Sequence, residues 1–529
     1  MSDANGYLSI VLHAHLPYVR HAEFDDFLEE DWLFEAITET YLPLLERFNQ
    51  LLEEGVDYRF SMVVTPPLAS MLTDTLLKQR AARYLDRLVE LGDKEVQRTR
   101  REAPDYHEVA CFYRERFGRL RELYKSLDGD IVSGIRRLQD AGVLEVMTCG
   151  ATHGLLPLLQ ATPRAVEAQI AVGAQAHRHF FGRDPRGIWL PECAYFDGLD
   201  KILADEGIRF FITDSHGVLY SEPRPAYGVH APIYTPAGVA VYGRDGESSK
   251  QVWSSKEGYP GDFNYRDFYR DIGYDLDFDY IGPYVQPTGL RKFTGFKYHR
   301  ITGTTEHKEP YRPYVALDKV AEHAGNFMHC REQQVEHLNE TLGREPVILA
   351  PYDAELYGHW WFEGPDFLYF LAKKLHHDGD KVKLTTPIEQ VERMPAGQIA
   401  TPDASSWGDK GYYDVWVNES NDWIYPHLHE IGRRMVELAN RFGDAHGDLE
   451  RALNQCAREL LLAQSSDWAF LISTGTAIDY SSKRTSNHIG RFLKLYDQIV
   501  SNGLDMGYVA ALEGYDNLFP FIDFRTYQT

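Results

Sequence analysis

Seven short apolar runs recur between residues 8 and 350, and each stops abruptly at polar or turn-forming residues. The first four are Leu8 to Leu12 before His13, Phe60 to Val64 before Thr65-Pro66-Pro67, Leu144 to Met147 before Thr148, and Ile188 to Leu190 before Pro191-Glu192. Phe210 to Ile212 before Thr213-Asp214, Val239 to Tyr242 before Arg244, and Val347 to Ala350 before Pro351-Tyr352-Asp353 complete the series. Apolarity that is largely continuous rather than alternating predicts strands buried on both faces, as in a parallel sheet. Longer stretches with helical spacing, such as Leu33 to Leu52 and Ala165 to Phe180, lie between the runs, so strand and helix alternate.

The polar clusters fall at the C-terminal ends of the predicted strands, where a parallel barrel places its chemistry. The pattern therefore predicts an α/β barrel of seven or eight strands. Leu77 to Val143 is charged and helical in period, too long for one connection, and reads as a helical insertion (77–143). Pro395 to Gly411, with its Pro, Gly and Ser, reads as a linker or wrapped loop. Beyond it, Ile424 to Phe442, Leu449 to Gln464 and Ser481 to Val500 have the spacing of amphipathic helices in a C-terminal bundle. These boundaries divide the chain into a catalytic barrel, 1–394, and a helical domain, 395–529.

Composition narrows the function. With 79 acidic against 55 basic residues the formal charge is −24, which opposes binding to nucleic acid or anionic lipid and favours neutral or cationic ligands. Five cysteines, Cys111, Cys149, Cys193, Cys330 and Cys456, form no C-x-x-C pair, and an odd count fits a reducing compartment. Met1 to Gly6 lacks a basic region, and no apolar run approaches the roughly 18 residues that span a bilayer. The expectation is a cytoplasmic protein. Its 33 tyrosines and nine tryptophans exceed what a minimal core needs; sugar-stacking surfaces and ordinary packing both use such residues.

Three groups of residues offer chemistry. His13 and His15 stand two apart after the first strand, so both side chains point one way, as ligand contacts or as satisfied structural histidines. Glu192 follows a short strand and Pro191, which fixes the local backbone; it is placed either as a rigid nucleophile or as a solvated helix-dipole partner. Asp353 and Glu355 share a short stretch with His359, Trp360, Trp361 and Glu363. One of these acids with Glu192 would supply the carboxyl pair of glycoside cleavage, whereas the plainer alternative makes the acids helix caps and the tryptophans core. Trp253, Trp407 and Trp416 sit beside hydrogen-bonding residues, a combination suited to pyranose faces. No phosphate loop, G-x-S-x-G elbow or zinc-type cysteine spacing occurs.

Four motifs occur in order: H-A-H-L-P from His13, C-G-A-T-H-G from Cys149, W-L-P-E-C-A-Y from Trp189 and P-Y-D-A-E-L-Y-G-H-W-W from Pro351. Together they resemble glycoside hydrolase family 57, and within it the branching-enzyme and amylase group, nearly end to end. The resemblance implies an incomplete (β/α)7 barrel with a helical insertion and a C-terminal α-helical domain that contributes to the cleft. It implies a retaining α-glucan enzyme with Glu192 as nucleophile and Asp353 as general acid/base. His13, His15, His153 and Arg244 would line the subsite at the cleavage point, and Trp253, Trp360, Trp407, Trp416 and Asp467 the glucan path. No metal and no organic cofactor is implied. The activity implied is that of a 1,4-α-glucan branching enzyme, with an α-amylase-type hydrolase or a 4-α-glucanotransferase as the alternative. Branching members often carry a longer loop whose tyrosine covers the centre; the stretch from Tyr227 to Arg244 is short, so appreciable hydrolysis is expected. Two other readings are a metal-dependent barrel hydrolase or deacetylase using His13, His15, His153 and Asp353, and a catalytically silent glycan-binding protein.

Overall fold

The computed structural model describes residues 5–254, 257–285, 288–303, 305 and 307–529. Most of the polar start, Met1 to Gly6, lies outside the described residues. Among the described residues nine strands form one sheet: β1 (Gly6–Ala14), β2 (Phe60–Val64), β3 (Leu144–Cys149), β4 (Gly187–Trp189), β5 (Phe210–Thr213), β6 (Ile233–Tyr234), β7 (Ala240–Gly243), β8 (Val347–Asp353) and β9 (Val382–Leu384). Seven of them run parallel in the order β7-β5-β4-β3-β2-β1-β8, and these coincide with the seven apolar runs. Two short strands are additional: β6 lies antiparallel on β7, and β9 lies parallel on the start of β1.

The curl stops short of closure. β7 and β8 share no ladder, and the gap is crossed by the Asp245 N–H donating to the Leu349 carbonyl at 2.9 Å. The chain is thus an incomplete (β/α)7 barrel. Its strands are buried on both faces, and alternate residues divide between two cores. Leu12, Val64, Val146, Ile188, Phe211, Val241 and Ile348 pack outward under the helices. Val11, Val63, Met147, Cys149, Trp189, Ile212, Tyr242 and Leu349 fill the lumen. By the same parity His13 and Asp353, paired across β1 and β8, extend the inward rows above that filling.

Helices Thr75–Glu102, His107–Ser126 and Ile131–Asp140 occupy the stretch between β2 and β3. They support the irregular segment after β7: the Tyr113 hydroxyl donates to the Lys297 carbonyl and the Tyr298 hydroxyl to Glu95. Residues 395–411 wrap the barrel. Ala400 N–H donates to the Tyr234 carbonyl, Thr401 and Glu222 exchange backbone bonds, and Ser405 and Tyr195 do the same. The strap carries the chain to helices Ile424–Arg441, Asp448–Ala463, Ser466–Thr474 and Ile478–Val500. Among the described residues no helix is long and apolar enough to cross a membrane, and all five cysteines are free thiols.

Candidate active site

The lumen rows end in a ring of imidazoles. His13 lies parallel to the indole of Trp189, with ring centres 4.6 Å apart, and its Nδ1 is 3.0 Å from Asp353 Oδ1. Two residues on, His15 stacks at 3.9 Å on His153. Its Nδ1 meets Thr65 Oγ1 at 2.9 Å and its Nε2 meets both Asp467 oxygens at 3.0 and 3.1 Å. Burial alone would raise Asp467, but His15 and a bond from Ser465 overrule it and hold the carboxyl at about 2. Burial would likewise lower His15, yet Asp467 raises it, so the two form an imidazolium–carboxylate pair. His13 and His153 are held neutral by burial and by the neighbouring imidazoles.

Glu192 sits just past β4 with φ 60°, followed by Cys193 at φ 51°; His153 has φ 58°. Left-handed backbone at three residues other than glycine is strain that the surroundings must hold in place. For Glu192 the anchors come from the other half of the chain. Trp407 Nε1 donates to Oε2 at 2.9 Å, the Trp407 backbone N–H donates to the Glu192 carbonyl at 3.0 Å, and Ser466 Oγ donates to Oε1 at 3.0 Å. His153 Nδ1 stands 3.7 Å from Oε1. Burial pushes the Glu192 carboxyl up to about 7, against the hydrogen bonds from Trp407 and Ser466.

Asp353 ends β8. Burial raises it to about 7, opposed by His15 and Arg244. Glu355, two residues on, is also raised to about 7 by burial; it accepts from the Tyr41 hydroxyl and from the His15 backbone N–H. Tyr41 comes from a π-helical turn, Ile37–Tyr41, that interrupts the helical stretch Glu30–Glu53. The same turn presents Glu39, which binds His359 Nδ1 at 2.6 Å. Gly358 (φ 123°) permits this approach, because a Cβ there would lie 1.9 Å from the Glu39 carbonyl. The glycine of the fourth motif is thereby explained by packing.

These side chains face one cleft of about 590 Å³. Twelve residues singled out from sequence border it: Glu192, Asp353, Glu355, His13, His15, His153, Arg244, Trp253, Trp360, Trp407, Trp416 and Asp467, whereas His359, Trp361 and Glu363 do not. Trp253 and Trp360 are 38% and 55% exposed and offer open ring faces on the rim, Trp360 backed by Phe268 at 4.4 Å. Trp416 is 1% exposed, so it supports the wall beneath Gly408 instead of offering a stacking face. Arg244 is held by Ser249 Oγ at 2.8 Å, with Asp214 at 3.6 Å. Sequence reasoning passed over Ser466, Tyr41 and the wall residues Leu16, Asp409, Val415 and Phe470. Ser466 alone carried a signal, its place beside Asp467 in the polar S-S-D triplet.

Similarity to known proteins agrees with this geometry. Residues 9–402 match glycosyl hydrolase family 57, and residues 427–527 match the C-terminal region of 1,4-alpha-glucan branching enzymes. A 1,4-alpha-glucan branching enzyme of Thermococcus kodakarensis is 34% identical over 97% of this chain and 77% of its own length. The crystal structure of the alpha-amylase AmyC from Thermotoga maritima superposes with a TM-score of 0.93 at 47% identity, covering 100% of this chain and 99% of that one. The branching enzyme of Pyrococcus horikoshii gives 0.89 at 34%, covering 99% and 97%. The chain belongs to glycoside hydrolase family 57.

Proposed function

We propose that the protein is a retaining α-glucan enzyme that cleaves α-1,4 links and passes the glucosyl chain to a sugar 6-hydroxyl, as a 1,4-α-glucan branching enzyme, with appreciable loss to water. The observation that carries this reading is a pair of carboxyls, Glu192 and Asp353, both raised to about 7 and both facing one aromatic-rimmed cleft. Glu192 attacks the anomeric carbon while protonated Asp353 gives its proton to the departing glycosidic oxygen. The acceptor hydroxyl then loses its proton to Asp353 and attacks the same carbon, and Glu192 leaves as carboxylate. His13, His15, His153 and Arg244 surround the reacting sugar; Trp253, Trp360 and Trp407 guide the chain. An α-glucan polymer is thus the partner, and the cytoplasm the compartment.

Hydrolysis is the second reading, and two observations favour it. The 47% identical structure is that of an alpha-amylase. Tyr227 to Arg244 folds largely into the tight β6–β7 hairpin, and no tyrosine is among the described residues that border the cleft. An uncovered intermediate is open to water. Amylose digests followed by proton NMR and by a reducing-end assay, with and without a debranching enzyme, test both. We expect new α-1,6 signals together with a rise in reducing ends before any debranching, since transfer alone conserves them. Reducing ends without α-1,6 signals would make the protein an amylase, and no change in either, with the chain-length distribution also unchanged, would remove the α-glucan assignment.

A further inference from the structure

The hydrogen-bond directions at the barrel floor fix the tautomers of two histidines. With Asp353 ionised, its oxygen can only accept from His13, so in that state the His13 proton is on Nδ1 and its Nε2 carries a lone pair. Ser466 spends its proton on Glu192, so its oxygen accepts from His153 Nδ1–H, and the His153 Nε2 is also a lone pair. Both imidazoles are neutral. Both Nε2 atoms are buried in side chains 2–3% exposed, and neither has a hydrogen-bond partner among the described residues. Cys149, fully buried on β3, brings its sulfur into the same space: one ligand atom from each of His13, Cys149 and His153 lies within 4.8 Å of the others. Three electron-pair donors thus lie within 4.8 Å of one another, and the two imidazole nitrogens among them have no hydrogen-bond partner among the described residues.

We infer that His13 Nε2, His153 Nε2 and Cys149 Sγ form a binding site for a borderline-soft divalent cation of the zinc class, seated on the floor of the cleft. Two imidazoles and a thiolate suit Zn²⁺. Zinc-bound N and S atoms stand about 3.3 to 3.6 Å apart in a tetrahedron with Zn–N near 2.0 and Zn–S near 2.3 Å, so the three groups need contract by little more than an ångström. The support around them is already that of a metal centre: Asp353 orients His13 through Nδ1, and Ser466 does so for His153. Metal binding displaces the thiol proton to solvent and changes no oxidation state. This ligand set differs from the His13, His15, His153 and Asp353 set of a metal-dependent hydrolase. His15 is committed on both nitrogens, to Thr65 and Asp467, and Asp353 to His13. The site is therefore inhibitory: an ion there takes the lone pairs that would accept sugar hydroxyls. That consequence rests on the proposed function, whereas the binding itself does not.

Titration of the whole protein with Co²⁺ tests the binding. We expect one equivalent to produce a near-ultraviolet sulfur-to-cobalt charge-transfer band with tetrahedral visible bands, both erased by Zn²⁺. In Cys149→Ala and Cys149→Ser the band is lost, and affinity falls by more than the roughly 10- to 100-fold typical of losing an outer partner. No band, or a band that survives in both variants, overturns the site. Should neither variant fold, X-ray absorption of the wild-type zinc complex decides: one sulfur with two imidazoles supports the site, and a shell without sulfur overturns it. Zinc should also inhibit amylose cleavage competitively and reversibly by chelator, with Cys149→Ala active and resistant. A cobalt band without inhibition leaves the site standing and overturns the placing of His13 and His153 at the reacting sugar.

Discussion

The indole of Trp407 donates to Glu192 Oε2 at 2.9 Å while its own backbone N–H donates to the Glu192 carbonyl at 3.0 Å. One loop residue thus holds both the side chain and the left-handed backbone of an acid 215 positions away. The strap at 395–411 is therefore part of the cleft wall around Glu192. The indole bond also stabilises the charged carboxylate and limits the rise that burial causes.

Replacing Trp407 by Phe keeps the ring against Trp189 and removes the donor. A hydrogen bond to a charged group contributes about 1.5 to 3 kcal/mol, so kcat/KM should fall roughly 10- to 100-fold. The acidic limb of the pH profile should move upward, because Glu192 then ionises later. A higher KM with an unmoved limb would reduce Trp407 to a sugar platform.

The profile itself follows from two raised carboxyls. The proposed mechanism needs Glu192 ionised, which fails as pH drops below its value of about 7, and Asp353 protonated, which fails as pH climbs past its value of about 7. The expected kcat/KM curve is a narrow bell near neutrality, not one centred in the ordinary carboxylate range. Asp353→Asn should lose about 10²- to 10⁴-fold on amylose and flatten the alkaline limb. On a glucosyl donor whose leaving group needs no protonation the loss of the first step should be much smaller. Glu192→Gln should abolish both. Equal losses for Asp353→Asn on the two donors would contradict its role as acid.

Seven strands were legible because burial on both faces leaves an unbroken apolar run, as in Phe60–Val64. β6 and β9 were not, since two or three residues establish no pattern. Helix Pro313–Leu342 was less legible because its buried stripe mixes Val320, Phe327 and Val335 with Ala316, Ala324 and even Arg331. Leu33 to Leu52 read as one helix because Glu39 and Tyr41 look like surface residues; their burial depends on His359 and Glu355, more than 300 positions away. Parity after β1 correctly aimed His13 and His15 inward. Their different fates, one on Asp353 and one on Asp467, are set by strand pairing and domain contact that no local spacing encodes.

Glu355 gives a stability test independent of catalysis. Its carboxyl rises from 4.5 to about 7 on folding, so the folded state binds its proton more tightly than the unfolded chain. Its contribution is complete below pH 4.5 and drains away as pH climbs toward 7. Wild type should therefore exceed Glu355→Gln in melting temperature most at the acidic end of this interval, the gap narrowing toward neutrality. A gap constant across the interval would mean that Glu355 ionises in the fold as it does in the open chain.

The His15–Asp467 pair has the opposite sign on its acid side. Asp467 falls from 3.8 to about 2, so its contribution is present above 3.8 and is lost as pH drops through 2. His15 is raised above 6.5, so its contribution is present below 6.5 and is lost as pH climbs past its folded value. The pair therefore stabilises the junction of barrel and helical domain between these limits. In Asp467→Asn the strongest opposition to burial is lost, with only Glu192 and Glu355 left to raise His15, and the ring should become neutral. Nitrogen-15 NMR of the His15 ring near pH 6.5 should show imidazolium in wild type and one neutral tautomer in the variant. The melting deficit of Asp467→Asn should peak within the window and shrink on both sides. A His15 ring that stays neutral in both proteins would show that the contact is an ordinary hydrogen bond, and the pH window would vanish with it.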